Sequence, residues 1–532
     1  MAEKNPLYIL PENTSRTLGR DAQRNNILAA KVIADIVKTT LGPKGMDKML
    51  VDSSGNIIIT NDGVTILEEM EIDHPAAKMM VEIAKTQEAE VGDGTTTVAL
   101  LAGKLLEYAE RLLDRNLHPT IIVKGYRLAA EKAIQILNEI SVQIQEREIL
   151  EQIAQTAMTG KGAEGNKEML AEIIVKAVEQ IALGKEINIH DIKIEKIKGD
   201  SIKESELVRG IVLDKERANS DMPKRIENAR ILLIDIPLEL RNPEIEAKIS
   251  VSTPEQLESF VQSEERYLKT MTDKIIASGV NVIFCQKGID DVAQYYLAKA
   301  KIFGLRRITR SDMEKLARAT GAKIVSNLSD IDEKIWGRAD IVEEIKRGED
   351  SVTYVRGCSN PRALTIVLRG SSTHVLDEIE RAVKDGLGDV VAAVKSGKIV
   401  PGGGAIEMEV SRRLRIYAKT LSGREQLAID EFANALESIP EALAENAGLD
   451  PIDILTELKK RHEAGLYNHG LNLFKNEIED TFSAGIIEPL KVKTQAINSA
   501  SEVATMILRI DDVLISSSKN KTNQIKNYEE DD

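Results

Sequence analysis

The chain has 532 residues, a net charge of −15 and two cysteines. A single hydrophobic core stops growing at roughly 250–300 residues, so this length predicts about three domains. The acidic balance argues against a nucleic-acid-binding protein, which would need a basic surface. Two cysteines give neither a disulfide framework nor a metal pattern, which favours a reducing compartment. Without a secretory signal or an apolar run of about 18 residues, we expect a cytoplasmic protein with no membrane partner.

The first part of the chain is predicted to be mainly helical. Apolar residues recur at helical spacing from Thr17 to Leu41, and Gly42-Pro43 then ends the pattern. Two short β-branched runs follow, and helical patterns then continue to Leu137. The predicted strands and helices in between are 49–52, 56–61, 75–89 and 98–113.

The middle of the chain has a different pattern. Residues 145–210 combine one helix with β-like segments, and from Ile231 strand-like runs alternate with helical stretches. This alternation predicts a small α/β domain with a partly parallel sheet. Strand-like runs return at 351–355 and 363–368, and the chain is then mostly helical from His374 to about Leu508. We expect residues 517–532 to form a disordered polar tail.

Four segments combine glycine with polar neighbours. Glycine lets the backbone approach a ligand closely and reach positive φ. A helix start adds free N–H groups and a positive dipole end, which together attract an anion. The segments are Leu41–Gly45, Gly92–Thr97, Gly160–Gly162 and Pro401–Gly404.

The segment Gly92–Thr97 has all the parts of a phosphate site. Asp93 sits between two glycines, three threonines follow it, and a strong helical pattern begins there. A phosphate could rest on the threonine amides while Asp93 binds Mg²⁺ through oxygen. The alternative is a loop whose threonine only caps the following helix.

The other candidate residues each have an ordinary structural alternative. Asn61-Asp62-Gly63 lies between apolar runs, so a hairpin turn competes with a catalytic role for Asp62. Lys161 could reach a terminal phosphate or simply be a surface lysine. Pro401–Gly404 is either a strand-to-helix turn or a close approach to a ribose. A carboxylate such as Asp385, late in a helical stretch, is ordinarily only solvated.

Several common enzyme motifs are missing from the sequence. Gly160–Gly165 fits G-x-G-x-x-G, but it follows a helical pattern rather than the strand that a dinucleotide site needs. The sequence has no Walker A, HExxH or G-x-S-x-G motif, which argues against a P-loop ATPase, a zinc hydrolase and an α/β-hydrolase.

Read together, the glycine segments resemble the group II chaperonins, the family of the archaeal thermosome and its eukaryotic cytosolic relatives. The resemblance covers essentially the whole chain, and residues 491–496 point to group II. The segments that carry it, in this order, are Thr40–Leu50, Asn61–Thr65, Gly92–Thr97, Pro401–Ala405 and Gly485–Pro489.

The resemblance implies a multidomain α and α/β fold, the chaperonin fold. A helical equatorial domain would take both ends of the chain, a mixed intermediate domain would be split, and an α/β apical domain would carry a helical protrusion that serves as a lid. The implied ranges are 1–143 and 400–516 for the equatorial domain, 144–210 and 363–399 for the intermediate domain, 211–362 for the apical domain and 238–265 for the protrusion.

The resemblance also implies an ATP site that uses Mg²⁺ and leaves K⁺ open as a further ion. Asp93 would ligate the metal, and the segments Leu41–Pro43 and Gly94–Thr97 would contact the phosphates. Gly403 would approach the ribose, and Glu488 would accept hydrogen bonds from the ribose hydroxyls. Asp385 would orient or activate the attacking water, Asp62 would assist at the γ-phosphate and Lys161 would sense that group. The implied ATP contacts are Thr40, Leu41, Gly42, Pro43, Asp93, Gly94, Thr95, Thr96, Thr97, Lys161, Gly402, Gly403 and Glu488.

The function implied is an ATP-dependent chaperone whose subunits form two stacked rings. Its partners would be unfolded or partly folded client proteins and other subunits, either copies of itself or paralogues. Two alternatives are a scaffold that uses ATP only as a structural ligand and a monomeric metabolic kinase. Gly386 and Gly388 depart from the family pattern after Asp385, and we expect them to loosen that helix end.

Overall fold

The structure, a computed structural model, describes residues 14–51, 55, 57–182, 187, 189–199, 201–239, 254–331, 335–347, 350–358 and 364–516. The chain divides into two compact units. The first unit is formed from residues up to 143 and from 398 onward, and the second is the continuous stretch 144–397. The finer division into three domains stays a prediction, and the expected tail 517–532 lies outside the described residues.

The first unit begins with a strand that the sequence patterns did not reveal. Residues 14–18 are extended, so the helix predicted from Thr17 begins at Gly19 instead. The two helices predicted at 75–89 and 98–113 are confirmed, and both extend slightly further. The elements of this part are β1 Thr14–Leu18, α1 Gly19–Lys38, β2 Lys48–Val51, β3 Ile57–Thr60, α2 Gly63–Glu69, α3 Pro75–Val91, α4 Thr95–Asp114, α5 Pro119–Ile140 and β4 Val142–Gln143.

The second unit contains the alternating strands and helices that the sequence predicts. Its elements are α6 Arg147–Met158, α7 Lys167–Ala182, β5 Ile192–Lys198, β6 Glu206–Val208, β7 Gly210–Leu213, β8 Arg225–Ile234, α8 Pro254–Ala277, β9 Val282–Cys285, α9 Asp291–Lys299, β10 Phe303–Leu305, α10 Arg310–Thr320, β11 Ile324–Val325, β12 Gly337–Arg347, β13 Asp350–Cys358, β14 Leu364–Gly370 and α11 Thr373–Ser396.

Two sheets organise the second unit. The larger has the strand order β10-β9-β8-β12-β13-β7, with β11 beside β8, and the smaller has the order β5-β14-β6. Strands β8 to β11 pair in parallel, whereas β12, β13 and β7 pair antiparallel, which confirms the predicted partly parallel sheet. Leu233 and Leu232 are both buried but join different core clusters, because successive side chains of a strand point to opposite faces.

One row of residues interrupts the larger sheet across three neighbouring strands. Pairing of β12 with β8 and with β13 continues on both sides of Asp340 but omits it. The residues that would lie opposite, Asn228 and Gly357, have φ of 52° and 69°. No extra residue is inserted, because the register is the same on both sides of the row, but the irregular backbone shifts the alternation of faces. As a result Ala339 and Val342, three residues apart, join the same core cluster.

The predicted lid segment 238–265 lies mostly outside the described residues. Leu238 is buried and forms an isolated parallel bridge with Ile289. Residues 240–253 are not described, and α8 then runs to Ala277, beyond the predicted end of the lid.

The chain returns to the first unit with four helices and with short strands that the helical patterns did not reveal. Among these strands, β15 pairs with both β4 and β18, and β19 pairs antiparallel with β1. The elements are β15 Lys398–Pro401, α12 Ala405–Ala418, α13 Glu425–Asn446, α14 Pro451–Glu463, β16 His469–Asn472, β17 Glu477–Asp480, β18 Ile487–Pro489, α15 Leu490–Leu508 and β19 Asp512–Ser516.

Helix α4 packs against α1, α3, α13 and α15 in the core of the first unit. The contact with α1 is close because Gly103 has no side chain, and a Cβ there would lie 2.2 Å from the Cβ of Ala34. On α5, Tyr126 meets Phe432 edge to face at 5.6 Å and donates a hydrogen bond of 2.7 Å to the carbonyl of Leu105. Dense apolar packing and a satisfied polar group therefore both fix this core.

A buried carboxylate joins α12 to α14. Glu409 is fully buried and accepts hydrogen bonds from Arg412 at 2.8 Å, Arg413 at 2.6 Å and the His462 ring at 3.2 Å. Burial alone would raise the pKa of Glu409, but the hydrogen bonds from these three residues outweigh it and lower that pKa to about 2. The ionised carboxylate is therefore favoured by folding.

We expect this group to make the first unit sensitive to acid. Because the pKa of Glu409 falls from 4.5 to about 2 on folding, its contribution is complete above pH 4.5 and is lost as the pH falls towards 2. That contribution is about 3 kcal/mol. Chemical unfolding should show the free-energy difference between wild type and Glu409→Gln shrinking by about that amount over this range. Glu463→Gln, at an exposed position of α14, is the control, and a difference that does not vary with pH would contradict the assignment.

Candidate nucleotide-binding site

Asp62 lies at the N-cap of α2. Its Oδ2 accepts hydrogen bonds from the amide of Thr65 at 3.0 Å and from the Thr65 hydroxyl at 2.6 Å. Its Oδ1 accepts from the hydroxyl of Thr95 at 3.2 Å. The hairpin alternative for this segment is wrong, because the chain after Asp62 is a helix rather than a second strand. Asp62 therefore ties the start of α2 to the start of α4.

The start of α4 is a helix end without a side-chain cap. Its N-cap is Gly94, with φ of 81°, so the alternative in which a threonine caps this helix is wrong. The first helical hydrogen bond is from the Val98 amide to the Gly94 carbonyl, at 3.0 Å. The amides of the three threonines from Thr95 to Thr97 precede it, at the positive end of the helix dipole. This geometry is suited to an anion.

Gln87 holds the loop before α4 in place, and the sequence analysis did not identify it. Its side chain is fully buried and donates hydrogen bonds to the carbonyls of Asp93 at 3.0 Å and of Val492 at 3.3 Å. A Cβ at Gly94 would lie 3.0 Å from both Gln87 and Val492. The available signal was a polar residue at a core-facing position of α3.

Lys493 links two acidic residues beside this loop, Glu407 and Glu488, and the three residues together form the Lys493 cluster. Its ammonium lies 2.8 Å from Glu407 and 2.6 Å from Glu488. Burial disfavours the charged form, but the two carboxylates outweigh it and raise the pKa of Lys493. Burial also raises the pKa of Glu488, with Lys493 opposing and the charges of Glu407 and Asp93 adding to the rise. The Asp93 and Glu488 carboxylates are therefore close enough to repel each other.

The segment 40–43 packs against α13. The buried Thr40 donates a hydrogen bond of 2.9 Å to the Val37 carbonyl, and Asn446 donates one of 2.9 Å to the carbonyl of Leu41. Gly42 has φ of 81°, and a Cβ there would lie 2.4 Å from Leu443. Pro43 follows in the same turn. The backbone of this loop is therefore fixed in place by the helix beneath it.

The glycines after β15 contact the segment around β16 and β18. The Leu471 amide donates a hydrogen bond of 2.8 Å to the Gly403 carbonyl, and Leu41 packs with Leu471 in one apolar cluster. A Cβ at Gly402 would lie 2.8 Å from Glu488 Oε1. These glycines do form a strand-to-helix turn, since α12 begins at Ala405. A contact with ribose stays a prediction.

In the second unit, Lys161 and Asp385 form a hydrogen-bonded ion pair. Both side chains are mostly buried, with 19% and 15% of their surface exposed. Asp385 lies within α11, which continues to Ser396, so the expectation of a loosened helix end is wrong. Gly386 is buried where α11 meets α6 and α7, and a Cβ there would lie 3.0 Å from Ile174. The missing side chain thus lets the helices approach closely.

The structure thus sorts the predicted site residues into two groups. The first group lies within the first unit. A hydrogen bond links Asp62 with the start of α4, and close contacts link the start of α4 with the Lys493 cluster. Gly402 lies close to Glu488. Lys161 and Asp385 form the second group, in the second unit. Gln87, Lys493 and Glu407 are the supporting residues that the sequence analysis missed.

The residues of the first group suit a magnesium nucleotide. Gly42, Gly94 and Gly402 lie where a Cβ would come into close contact with neighbouring side chains. The first amides of α4 have no side-chain cap and are suited to an anion. Within the described part of the chain, no group of three or more His, Cys, Asp or Glu is arranged to hold a metal ion. A Mg²⁺ held by Asp93 would therefore take its other ligands from phosphate and water, which is its usual mode of binding beside nucleotides.

The sequence profile of the TCP-1/cpn60 chaperonin family matches residues 33–518. The chain therefore belongs to this family of molecular chaperones, and its multidomain α and α/β architecture is the chaperonin fold. No helix in the described residues has the length and apolar character needed to cross a membrane.

Similar proteins include thermosome subunits of archaea. The chain is 58% identical over 515 residues to thermosome subunit beta of Archaeoglobus fulgidus, covering 96% of this chain and 94% of that protein. It is 55% identical over 514 residues to a thermosome subunit of Methanopyrus kandleri, with the same shares covered. Among solved structures, an open-state monomer of a group II chaperonin from Methanococcoides burtonii matches with a TM-score of 0.61 and 48% identity. That match covers 79% of this chain and 100% of the other.

Proposed function

We propose that the chain is the ATPase subunit of a two-ring, cytoplasmic folding chamber. It binds and encapsulates unfolded proteins, and it closes a built-in lid as Mg-ATP is hydrolysed. The observation that carries the proposal is the uncapped start of α4, held beside Asp62 on one side and the Lys493 cluster on the other. Free amides, a metal-binding carboxylate and a second carboxylate for the sugar then lie in one unit of the chain.

In this proposal each part of the site has one task. The amides of residues 94–97 and the loop 40–43 hold the phosphates, and Asp93 binds Mg²⁺, with K⁺ left open as a further ion. The carboxylate of Glu488 accepts hydrogen bonds from the ribose hydroxyls next to Gly402 and Gly403. The bound metal supplies charge neutralisation for phosphoryl transfer, and the protein supplies alignment.

Hydrolysis is assigned to three further residues. Asp385 orients or activates the attacking water, and Asp62 assists at the γ-phosphate. Lys161 senses the γ-phosphate. The ion pair between Lys161 and Asp385 supports a coupling of these roles, because a γ-phosphate that attracted Lys161 would release the Asp385 carboxylate to accept a proton.

Assembly with other subunits is supported by the hairpin of β2 and β3. These two strands pair only with each other among the described residues. Met49, Val51 and Ile57 are exposed by 64%, 63% and 50%. An isolated two-stranded sheet with apolar side chains in water is marginally stable, so a further partner would stabilise it. We propose that this partner is another subunit, either a copy or a paralogue.

The proposal is tested by the metal dependence of ATP hydrolysis. We expect the purified protein to hydrolyse ATP with Mg²⁺ and to stop when the metal is chelated. Asp93→Asn should lower the rate by roughly 100-fold or more, because a metal ion contributes several kcal/mol of transition-state stabilisation. Asp73→Asn, at an exposed position before α3, is the control and should keep its activity. Equal rates with and without Mg²⁺ would contradict the proposal, and electron micrographs without rings would contradict the assembly.

A further inference from the structure

A second concave site lies on the larger sheet of the second unit. It is a pocket of about 770 Å³ at the strands β8, β12 and β13. Its lining includes Arg209, Arg230 and Arg338, and all three residues are exposed. Within the described residues, none of these guanidinium groups forms an ion pair or a side-chain hydrogen bond. The pocket therefore gathers three charged groups whose donors are available to a ligand.

Two of these arginines face each other in the sheet. Arg338 on β12 pairs directly with Arg230 on β8 in the antiparallel register. Like charges at directly opposite positions destabilise a sheet. Arg225, on the same strand, differs because it lies 3.0 Å from Glu343 and 3.1 Å from Glu227. The repulsion between Arg230 and Arg338 therefore lowers the stability of the sheet, and a bound anion would reduce that repulsion.

The floor of the pocket is held by a network of backbone contacts. The Asn281 side chain accepts a hydrogen bond of 2.7 Å from the Arg230 amide and donates one of 3.3 Å to the Asn228 carbonyl. Asn228 belongs to the irregular row of the sheet, together with Asp340 and Gly357. A Cβ at Gly357 would lie 2.1 Å from Asp340 Oδ2, so the Asp340 carboxylate lies over the glycine. These contacts fix the backbone that carries Arg230 and Arg338.

We propose that this pocket binds an acidic peptide segment of a client protein. The planar guanidinium groups of Arg230, Arg338 and Arg209 match carboxylates in a bidentate geometry. The lining also contains the carboxylates of Asp340 and Glu227. A compact phosphate brings only acceptor oxygens to these acidic groups, whereas a peptide can also present its own N–H donors to them. The volume also falls in the range of sites that enclose ligands much larger than a single phosphate.

Binding can be followed at Trp336, the single tryptophan of the chain. The guanidinium of Arg230 lies 6.0 Å from the centre of its ring, so a ligand that moves this side chain should change the fluorescence. The probe is a tetraglutamate peptide with blocked ends, added to the whole protein without nucleotide at low salt and checked by calorimetry. We expect saturable binding that weakens with salt, and no binding of the matching tetraglutamine peptide.

Variants separate binding from folding. Arg338→Gln should weaken tetraglutamate binding by about tenfold or more, since it removes a charged group that would donate hydrogen bonds to a glutamate of the peptide. The same variant should not lower the melting temperature, because it relieves the repulsion with Arg230. Arg127→Gln, an exposed arginine of α5 in the first unit, is the matched control and should bind like wild type.

Two results would overturn the inference. One is equal binding of tetraglutamate by wild type and Arg338→Gln, and the other is inorganic phosphate saturating the site at the same or lower concentrations than the peptide. The inference deepens the proposed chaperone function by naming a class of client segment. Because the assay contains no nucleotide, a failure here would leave Mg-ATP hydrolysis untouched, and the two proposals can fail separately.

Discussion

Replacing Asp385 by alanine is expected to abolish ATP hydrolysis while leaving ATP binding intact. The residue is proposed to orient or activate water rather than to hold the nucleotide, so its loss should affect the chemical step. Removing a general base typically costs 10²–10⁴-fold in rate. Phosphate release measured at saturating ATP would report that loss, and titration with a nucleotide would report unchanged affinity.

The control for Asp385→Ala lies on the same helix. Asp377 is two turns earlier on α11 and pairs with Lys196, with 39% of its side chain exposed. Asp377→Ala should therefore keep its hydrolytic rate. The ion pair adds a second check, because Asp385→Ala leaves the mostly buried Lys161 without that carboxylate. Measuring stability beside activity separates an unfolded variant from an inactive one. Full turnover by Asp385→Ala would remove its assigned role.

Replacing Lys493 by methionine is expected to destabilise the first unit by about 3–5 kcal/mol. The change leaves Glu407, whose side chain is 4% exposed, beside Glu488 without the shared cation. The pKa of Glu488, already raised by burial, should rise further, because Lys493 is the group that opposes the rise. A protonated Glu488 would accept fewer hydrogen bonds, so affinity for ATP should fall as well. Chemical unfolding and nucleotide titration measure the two effects.

Two further variants make the Lys493 test specific. Lys491→Met changes an exposed lysine of the same helix, which should alter neither stability nor affinity. Adding Glu407→Gln to Lys493→Met removes one of the two carboxylates left behind, so part of the lost stability should return. If the double variant is no more stable than Lys493→Met, the buried charge is not the cause.

The sequence predicts the fold well where structure is local. Helical periodicity predicted α3 and α4, and alternating strands and helices predicted the mixed sheet of the second unit. The pairing of β1 with β19 was not predicted, because the partners are about 500 residues apart and each strand is only five residues long. Short strands that pair across such separations leave no periodic pattern of their own.

In the candidate site, too, the residues recognisable from the local sequence were predicted, whereas those that depend on distant partners were not. The sequence singles out Gly94 and Asp93 as candidates, because a glycine-rich segment before a helix has a direct physical meaning. It does not single out Lys493 and Gln87, since a buried polar residue is recognisable only when its partners are known. The errors at Asp62 and Gly386 arose because an Asp-Gly pair suits a helix start as well as a turn, and because glycine within a helix can serve close packing.

The pairing of β1 with β19 also bears on the synthesis of the chain. The first unit contains residues from both ends, with the 254 residues from 144 to 397 made in between. At about 5–20 residues per second, a ribosome needs roughly 13–50 s for that stretch. The second unit is continuous and can fold as it emerges. During that time the apolar faces of α1, α3, α4 and α5 lack their partners from α13 and α15. The nascent chain of this chaperonin is therefore itself a protein with exposed apolar surface that needs protection.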